Sequence, residues 1–188
     1  GRSRERAALD EAGLLTPSGG VAGTSLFERL GETEFLVFVN VAEADAVLLG
    51  RFRLLGRSYA LGRPIPWCTD PVSGRPWPTE FHRAIDIFSG DGGRGDVKDV
   101  WELNRHQFLP TLGKAYRMTG EERYAAGALD LVEEWIAANP YKRGINWTSA
   151  LEVAVRSLAW CWTLGMVEGS AALDAVRRGR VEGSLAAH

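Results

Sequence analysis

The chain has 188 residues, 45% hydrophobic and 24% charged, with a formal net charge of −2 at pH 7, a composition typical of a globular protein with one sizeable core. The near-neutral balance excludes the basic surface on which nucleic-acid binding depends, and no apolar run reaches the roughly 18 residues of a membrane span. We therefore expect neither a nucleic acid nor a membrane as partner, and the histidine and cysteine spacings predict no metal or other cofactor.

The first part of the chain, residues 1–95, is rich in Gly, Pro and Arg and predicts a loop-rich portion. Within it, residues 41–50 predict a short helix, and the loose alternation of 51–61 predicts a short strand pair. The prolines and turn dipeptides of 64–78 predict a long ordered loop, whose two tryptophans indicate packing against other residues. The glycine-rich stretch 89–96 predicts a flexible link.

The second part, residues 96–188, predicts antiparallel helical hairpins, and together with the first part it forms one domain of the all-α class. The expected helices cover about 97–117, 121–138, 146–165 and 171–187. Asp96 is the expected N-cap of the first helix, and the pairs Thr119/Glu122 and Ser149/Glu152 have the spacing of capping boxes.

The third predicted helix is apolar almost all round, which predicts burial on both sides, as in the inner layer of a helical barrel. One side of its wheel carries Leu151, Val155, Leu158 and Trp162, and the other carries Val153 and Trp160. Its strongly polar residues, Glu152 and Arg156, are one turn apart. A structural ion pair is the favoured interpretation of these two, and contact with a ligand is the alternative.

The stretch WELNRHQFLP, residues 101–110, places four polar residues in a row inside the first predicted helix. On a helical wheel Asn104 and Arg105 fall inside the apolar arc, whereas His106 and Gln107 fall outside it. The inward pair has two interpretations. In the first, Arg105 pairs with a carboxylate across a helix interface and Asn104 bonds a loop backbone. In the second, both residues line a cleft for an anionic ligand. A proline at position 110 predicts a bend beside them.

The stretch GINWTSALE, residues 144–152, leaves the same choice open. Asn146 and Trp147 are either a helix cap and a core residue, or a saccharide-binding pair at a helix start. The chain has seven tryptophans, a residue type that most often packs in cores but also stacks on sugar rings.

Four stretches carry a specific combination of motifs: IPWCTDPVSGRPWPTEFH, GDVKDVWELNRHQFLPTLGKAYRMTGEERYA, WIAANP and GINWTSALEVAVRSLAW. Over about residues 52–164 they resemble the N-terminal helical domain of heparinase II/III-like polysaccharide lyases. The resemblance implies a partial (α/α) toroid and a cleft for acidic polysaccharide, which is cleaved by β-elimination. In that reaction a polar group neutralises a uronate carboxylate, a Tyr or His removes the C5 proton, and an acid protonates the leaving oxygen.

The resemblance assigns substrate binding to one set of residues: Asn104, Arg105, His106, Asn146 and Trp147, with Glu152 and Arg156 as further candidates. The family's catalytic motif, an Asn/His-containing helix start with a later Tyr and His, matches no residue here and is expected beyond His188. We therefore expect a truncated and inactive portion of a lyase, with its catalytic residues unknown.

Two other functions stay open at this point: a non-catalytic carbohydrate-binding or polysaccharide-biosynthesis protein, and a helical-repeat interaction module. The first residues contain no apolar signal-peptide core, although a family-like protein is expected to be periplasmic or secreted. The sequence leaves the polymer and the oligomeric state open.

Overall fold

The computed structural model describes residues 41–88 and 95–188. Its helices are α1 (Val41–Leu48), α2 (Val97–Asn104), α3 (Leu109–Thr119), α4 (Glu122–Ala138), α5 (Ala150–Met166) and α6 (Ala175–Leu185). Two short 3-10 helices cover His82–Ala84 and Ile145–Trp147. The strands are β1 (Arg51–Leu54) and β2 (Arg57–Ala60). The predicted all-α partial toroid with a short strand pair is confirmed, whereas most of the predicted link at 89–96 lies outside the described residues.

The strand pair forms a two-residue hairpin. Both turn residues, Leu55 and Gly56, have positive φ angles of 49° and 77°, as a type I′ turn requires. β1 and β2 pair antiparallel, with Phe52 opposite Tyr59. The alternation of β1 buries Phe52 and Leu54, which join the core under α1.

The central helix of the fold is α3, which packs against both α4 and α5. Tyr124, Ala128, Leu131 and Trp135 of α4 are all buried, so the predicted apolar face of that helix is confirmed. None of the helices in the two described ranges combines the length and apolar character needed to cross a lipid bilayer. The division at residue 95 stays a prediction.

The prediction of one continuous helix over 97–117 is wrong. The helix ends at Asn104, His106 takes a left-handed conformation with φ 57°, and a new helix begins at Leu109 with Pro110 in its first turn. A proline in the first turn has no intrahelical bond to lose, whereas inside a helix it would clash with the preceding turn. The break turns the side chain of His106, predicted to face outward, into the core.

The helix starts confirm one predicted cap and contradict the two capping boxes. The side chain of Asp96 accepts a hydrogen bond from the backbone N–H of Lys98, as expected. Glu122 instead accepts from the hydroxyl of Ser170 at 2.5 Å. Glu152 likewise bonds a residue outside its own helix, Arg105, because partners outside the helix compete with the local backbone.

The prediction that α5 is buried on both sides is also wrong. Leu151, Leu158 and Trp162 are 64%, 63% and 63% exposed, whereas the polar stripe with Glu152 and Arg156 faces the interior. The polar stripe is inside because its groups find hydrogen-bond partners there, which offset the cost of removing them from water.

Two helical glycines allow a test of the α3–α5 contact. A Cβ at Gly113 of α3 would lie 2.8 Å from the Cβ of Met166, whereas a Cβ at Gly165 of α5 would meet nothing within 4 Å. We expect Gly113→Ala to lower the free energy of unfolding by about 1–2 kcal/mol, because overpacking outweighs the gain in helix propensity. Gly165→Ala is the control and is expected to raise it by up to about 1 kcal/mol. Urea denaturation measures both changes, and equal effects would contradict the close approach.

Candidate functional site

A buried amide network holds the loop that follows the hairpin. The carbonyl oxygen of Trp67 accepts hydrogen bonds from the side-chain amides of Asn104 at 2.8 Å and Asn146 at 3.1 Å. The side-chain oxygen of Asn104 accepts from the indole N–H of Trp135 at 2.7 Å. Asn146 also donates to the side-chain oxygen of Asn139 at 2.8 Å. Asn104 therefore bonds a loop backbone, one of the two roles that the sequence left open.

Arg105 and Glu152 form a bidentate ion pair between the C-terminal end of α2 and the first turn of α5. The Nε and one terminal nitrogen of Arg105 donate to the two oxygens of Glu152 at 2.6 and 2.9 Å. This hydrogen bonding is the main cause that raises the pKa of Arg105 above its usual value. Glu152 thus pairs with Arg105, and no hydrogen bond or ion pair joins it to Arg156 in the described part of the chain, so the predicted direct pair between Glu152 and Arg156 does not form.

Arg156 is fully buried at the centre of the site. Its Nε donates to Nε2 of His188 at 2.9 Å, and its terminal nitrogens donate to the carbonyl oxygens of Asn104 and Asn146 at 3.4 and 3.3 Å. The guanidinium also lies 4.1 Å from the ring centroid of Trp135, within cation–π range. Burial lowers the pKa of Arg156 to about 9, so the side chain remains a cation at neutral pH.

His106 packs among aromatic rings behind Arg156. Its Nδ1 accepts a hydrogen bond from the indole N–H of Trp160 at 2.7 Å, which places the proton of the neutral ring on Nε2. Nε2 is buried and has no hydrogen-bond partner in the described part of the chain. Burial, followed by the charge of Arg156, lowers the pKa of His106 well below its usual range. His106 is therefore neutral at physiological pH.

An open cavity of about 610 Å³ lies next to this network. Two exposed cations, Arg83 and Lys142, line it together with the rings of Tyr141, Trp147 and His188. No Asp or Glu is among its lining residues in the described ranges. Since the whole chain has a net charge of −2, the cavity wall differs in sign from the average surface.

Backbone pairing brings the two cations to the same rim. The backbone N–H of His82 donates to the carbonyl of Lys142 at 3.0 Å, and Phe81 forms an antiparallel bridge with Arg143. Lys142 has a left-handed backbone with φ 60°, which costs a non-glycine residue roughly 1–2 kcal/mol. Such strain is frequently found at binding sites. The Nζ of Lys142 lies 4.8 Å from the ring centroid of Tyr141.

The cavity can bind anions and present aromatic surface to a sugar ring. Arg83 and Lys142 supply the charges, and Tyr141 and Trp147 meet edge-to-face with centroids 5.3 Å apart. In the described residues, no group of three or more His, Cys, Asp and Glu side chains is placed to hold a metal ion. The cavity therefore offers positive charge and aromatic rings to a ligand.

The structure separates the residues proposed from sequence for substrate binding into three groups. Trp147 is 8% exposed and lines the cavity, and Arg105 is 27% exposed beside Glu152. The other five are buried: Asn104, His106, Asn146, Glu152 and Arg156. None of these five is among the residues that line the cavity, and their contact with a ligand stays a prediction.

The lining residues that sequence reasoning missed include Arg83, Tyr141, Lys142 and His188. It also treated Asn139 only as a helix stop, although this residue accepts from Asn146 and its carbonyl accepts from the indole of Trp147 at 3.3 Å. The two adjacent turn residues Tyr141 and Lys142, just before GINW, were the available signal. Their proximity to Arg83 depends on tertiary pairing.

Comparison with known proteins points to one family. The family described as "Heparinase II/III N-terminus" matches residues 39–166. A heparin-sulfate lyase of Bacteroides stercoris is 42% identical over 40 residues, which are 21% of this chain and 6% of that enzyme. The aligned stretch thus spans a small part of that relative's length. No solved structure matches the chain significantly.

Proposed function

Because the chain belongs to the heparinase II/III N-terminal family, we propose that it forms the substrate-cleft portion of a lyase that cleaves uronic-acid-containing polysaccharide by β-elimination. One observation carries the proposal: the cavity is lined by two cations and by no Asp or Glu of the described residues, in a chain of net negative charge. A polyanionic substrate is attracted to such a wall, and a neutral one is not.

Each part of the cavity has a distinct role in this proposal. Arg83 and Lys142 pair with acidic groups of neighbouring sugars, and Trp147 and Tyr141 pack against the apolar faces of the rings. The buried network holds Trp147 in place through Asn139 and Asn146. This network gives Asn104 and Asn146 a positioning role.

The chemistry needs three groups: a partner that neutralises the uronate carboxylate, a base for the C5 proton and an acid for the leaving oxygen. The family resemblance assigns proton transfer to a motif that no residue here matches. We therefore propose that the chain by itself binds the polymer without cleaving it. Incubation with heparan sulfate, alginate and hyaluronan tests this, and a rise in absorbance from an unsaturated uronate product would contradict it.

Loss of the two cations is expected to weaken binding of an acidic oligosaccharide. We expect Arg83→Gln and Lys142→Gln each to lower the affinity for a heparan sulfate tetrasaccharide about tenfold, or about 1.4 kcal/mol, because each removes a charge-assisted contact. Titration calorimetry at two salt concentrations measures this, and the wild-type affinity should fall as salt rises.

The matched control is Arg117→Gln, which removes an exposed cation from the last turn of α3, away from the cavity lining. Its affinity should equal that of the wild type. If all three variants bind alike, the cavity is not the anion site and the proposed function fails.

A further inference from the structure

Arg156 is a buried cation that bonds no carboxylate in the described part of the chain. Its terminal nitrogens reach only backbone carbonyls, at 3.4 and 3.3 Å, which are long hydrogen bonds. Glu152 lies one turn earlier on α5, but both of its oxygens bond Arg105. A buried guanidinium without a bonded anion has unused capacity for one, since buried charges are normally paired.

The imidazole of His188 closes the remaining side of this guanidinium. Its Nδ1 lies 2.8 Å from the carbonyl of Ser184 and carries the proton, so Nε2 accepts from Arg156. The ring packs against Trp147 and Trp160, with centroids 4.8 and 5.0 Å away. His188 also lines the cavity. The imidazole is therefore a layer between the cavity and Arg156.

We propose that Arg156 is a second anion subsite at the base of the cavity, closed by the imidazole of His188, and that the carboxylate of a uronate sugar displaces this ring. The inference rests on the proposed function, because it concerns the same cavity. A carboxylate carries the opposite charge and can accept two parallel hydrogen bonds from the guanidinium, whereas the neutral imidazole accepts one. Exchange of the neutral acceptor for an anion also neutralises the buried cation.

Low pH is expected to favour the open subsite, because both ring nitrogens of a protonated imidazole carry a hydrogen and neither can accept a hydrogen bond from Arg156. Burial, followed by the charge of Arg156, lowers the pKa of His188 to about 4, whereas a displaced and solvated imidazole titrates near 6.5.

The other titratable or charged groups around this ring belong to several elements. They are Glu152 behind Arg156, His106 on the α2–α3 link, and His82, Arg83 and Lys142 at the cavity. Because the displaced imidazole binds a proton more readily than the buried one, the affinity for a uronate should rise about tenfold as the pH falls from 7 to 5.

Two substitutions of His188 test the inference with glucuronate as probe and glucose as neutral control. His188→Ala opens the subsite, so glucuronate should bind about tenfold more tightly than to the wild type at pH 7. His188→Gln keeps an acceptor for Arg156 but does not titrate, so its affinity should match the wild type at pH 7 and stay flat to pH 5. Titration calorimetry measures affinity, and fluorescence of the surrounding tryptophans reports displacement of the ring.

An unchanged affinity in His188→Ala, or a wild-type affinity that is flat between pH 7 and pH 5, would overturn the inference. Tighter binding of N-acetylglucosamine 6-sulfate than of glucuronate to His188→Ala would also overturn it, by assigning the subsite to sulfate. If these tests fail while tetrasaccharide binding is intact and still depends on Arg83 and Lys142, the second subsite alone is rejected. Loss of that dependence rejects the proposed function.

Discussion

Replacement of Arg105 by alanine is expected to lower the free energy of unfolding by about 3 kcal/mol. The change leaves the buried carboxylate of Glu152 without the two hydrogen bonds that it receives at 2.6 and 2.9 Å, and an unpaired buried charge is costly. For a chain of 188 residues this corresponds to a fall in melting temperature of about 6–12 °C. Urea and thermal denaturation measure the two quantities.

A double-mutant cycle separates the ion pair from other effects of the substitution. When Glu152→Gln is already present, Arg105→Ala should cost much less, because no buried carboxylate is left unpaired. Arg117→Ala serves as the matched control, since it truncates an exposed arginine, and should change the free energy of unfolding by less than about 0.5 kcal/mol. A variant of Arg105 as stable as this control would favour the alternative, in which Arg105 lines the cleft.

Acidification from pH 7.5 to pH 5 is expected to destabilise the fold by about 2 kcal/mol through His106. Burial lowers the pKa of His106 in the folded state, so the folded chain binds fewer protons than the unfolded chain. The stabilisation is complete above the unfolded pKa of about 6.5 and decreases by at most about 1.4 kcal/mol for each pH unit below it. His188 acts in the same direction, but its partial exposure reduces the effect.

Denaturation curves between pH 7.5 and pH 5 test this expectation. His106→Gln removes the titrating group and should abolish most of the pH dependence of the free energy of unfolding, whatever the stability of the variant at pH 7.5. His82→Gln also removes a histidine but leaves His106 in place, so the variant should keep the wild-type dependence of stability on pH. An identical slope in both variants would show that His106 is not the origin of the acid sensitivity.

His106 and His188 belong to one cluster around the buried Arg156. Arg156 contacts the carbonyl of Asn104 and the imidazole of His188, and its charge contributes to the lowered pKa values of His106 and His188. A core that holds a cation and two neutral imidazoles against tryptophan rings is stable only while each polar group keeps its partner. His188 of this cluster also lines the cavity for which we propose substrate binding.

The sequence by itself determined the local features of this protein and its family. The hairpin follows from alternation and a two-residue turn, the N-cap of α2 follows from Asp96, and the buried face of α4 follows from its helical period. The motif combination over about residues 52–164 indicated the family that the match over 39–166 confirms. The hairpin, the cap and the helical face depend on residues within a few positions of each other, and each motif of the family is likewise a short stretch, so these signals can be read along the chain.

Only the tertiary structure decided how the polar groups are used. Arg105 and its partner Glu152 are 47 residues apart, and Arg83 and Lys142 reach one rim through pairing between distant loops. The inverted polarity of α5, with its charged stripe inside and Trp162 outside, also contradicts the rule that apolar surface is buried. A polar side chain is stable inside only if distant residues satisfy its hydrogen bonds, and a helical wheel contains no information about those partners.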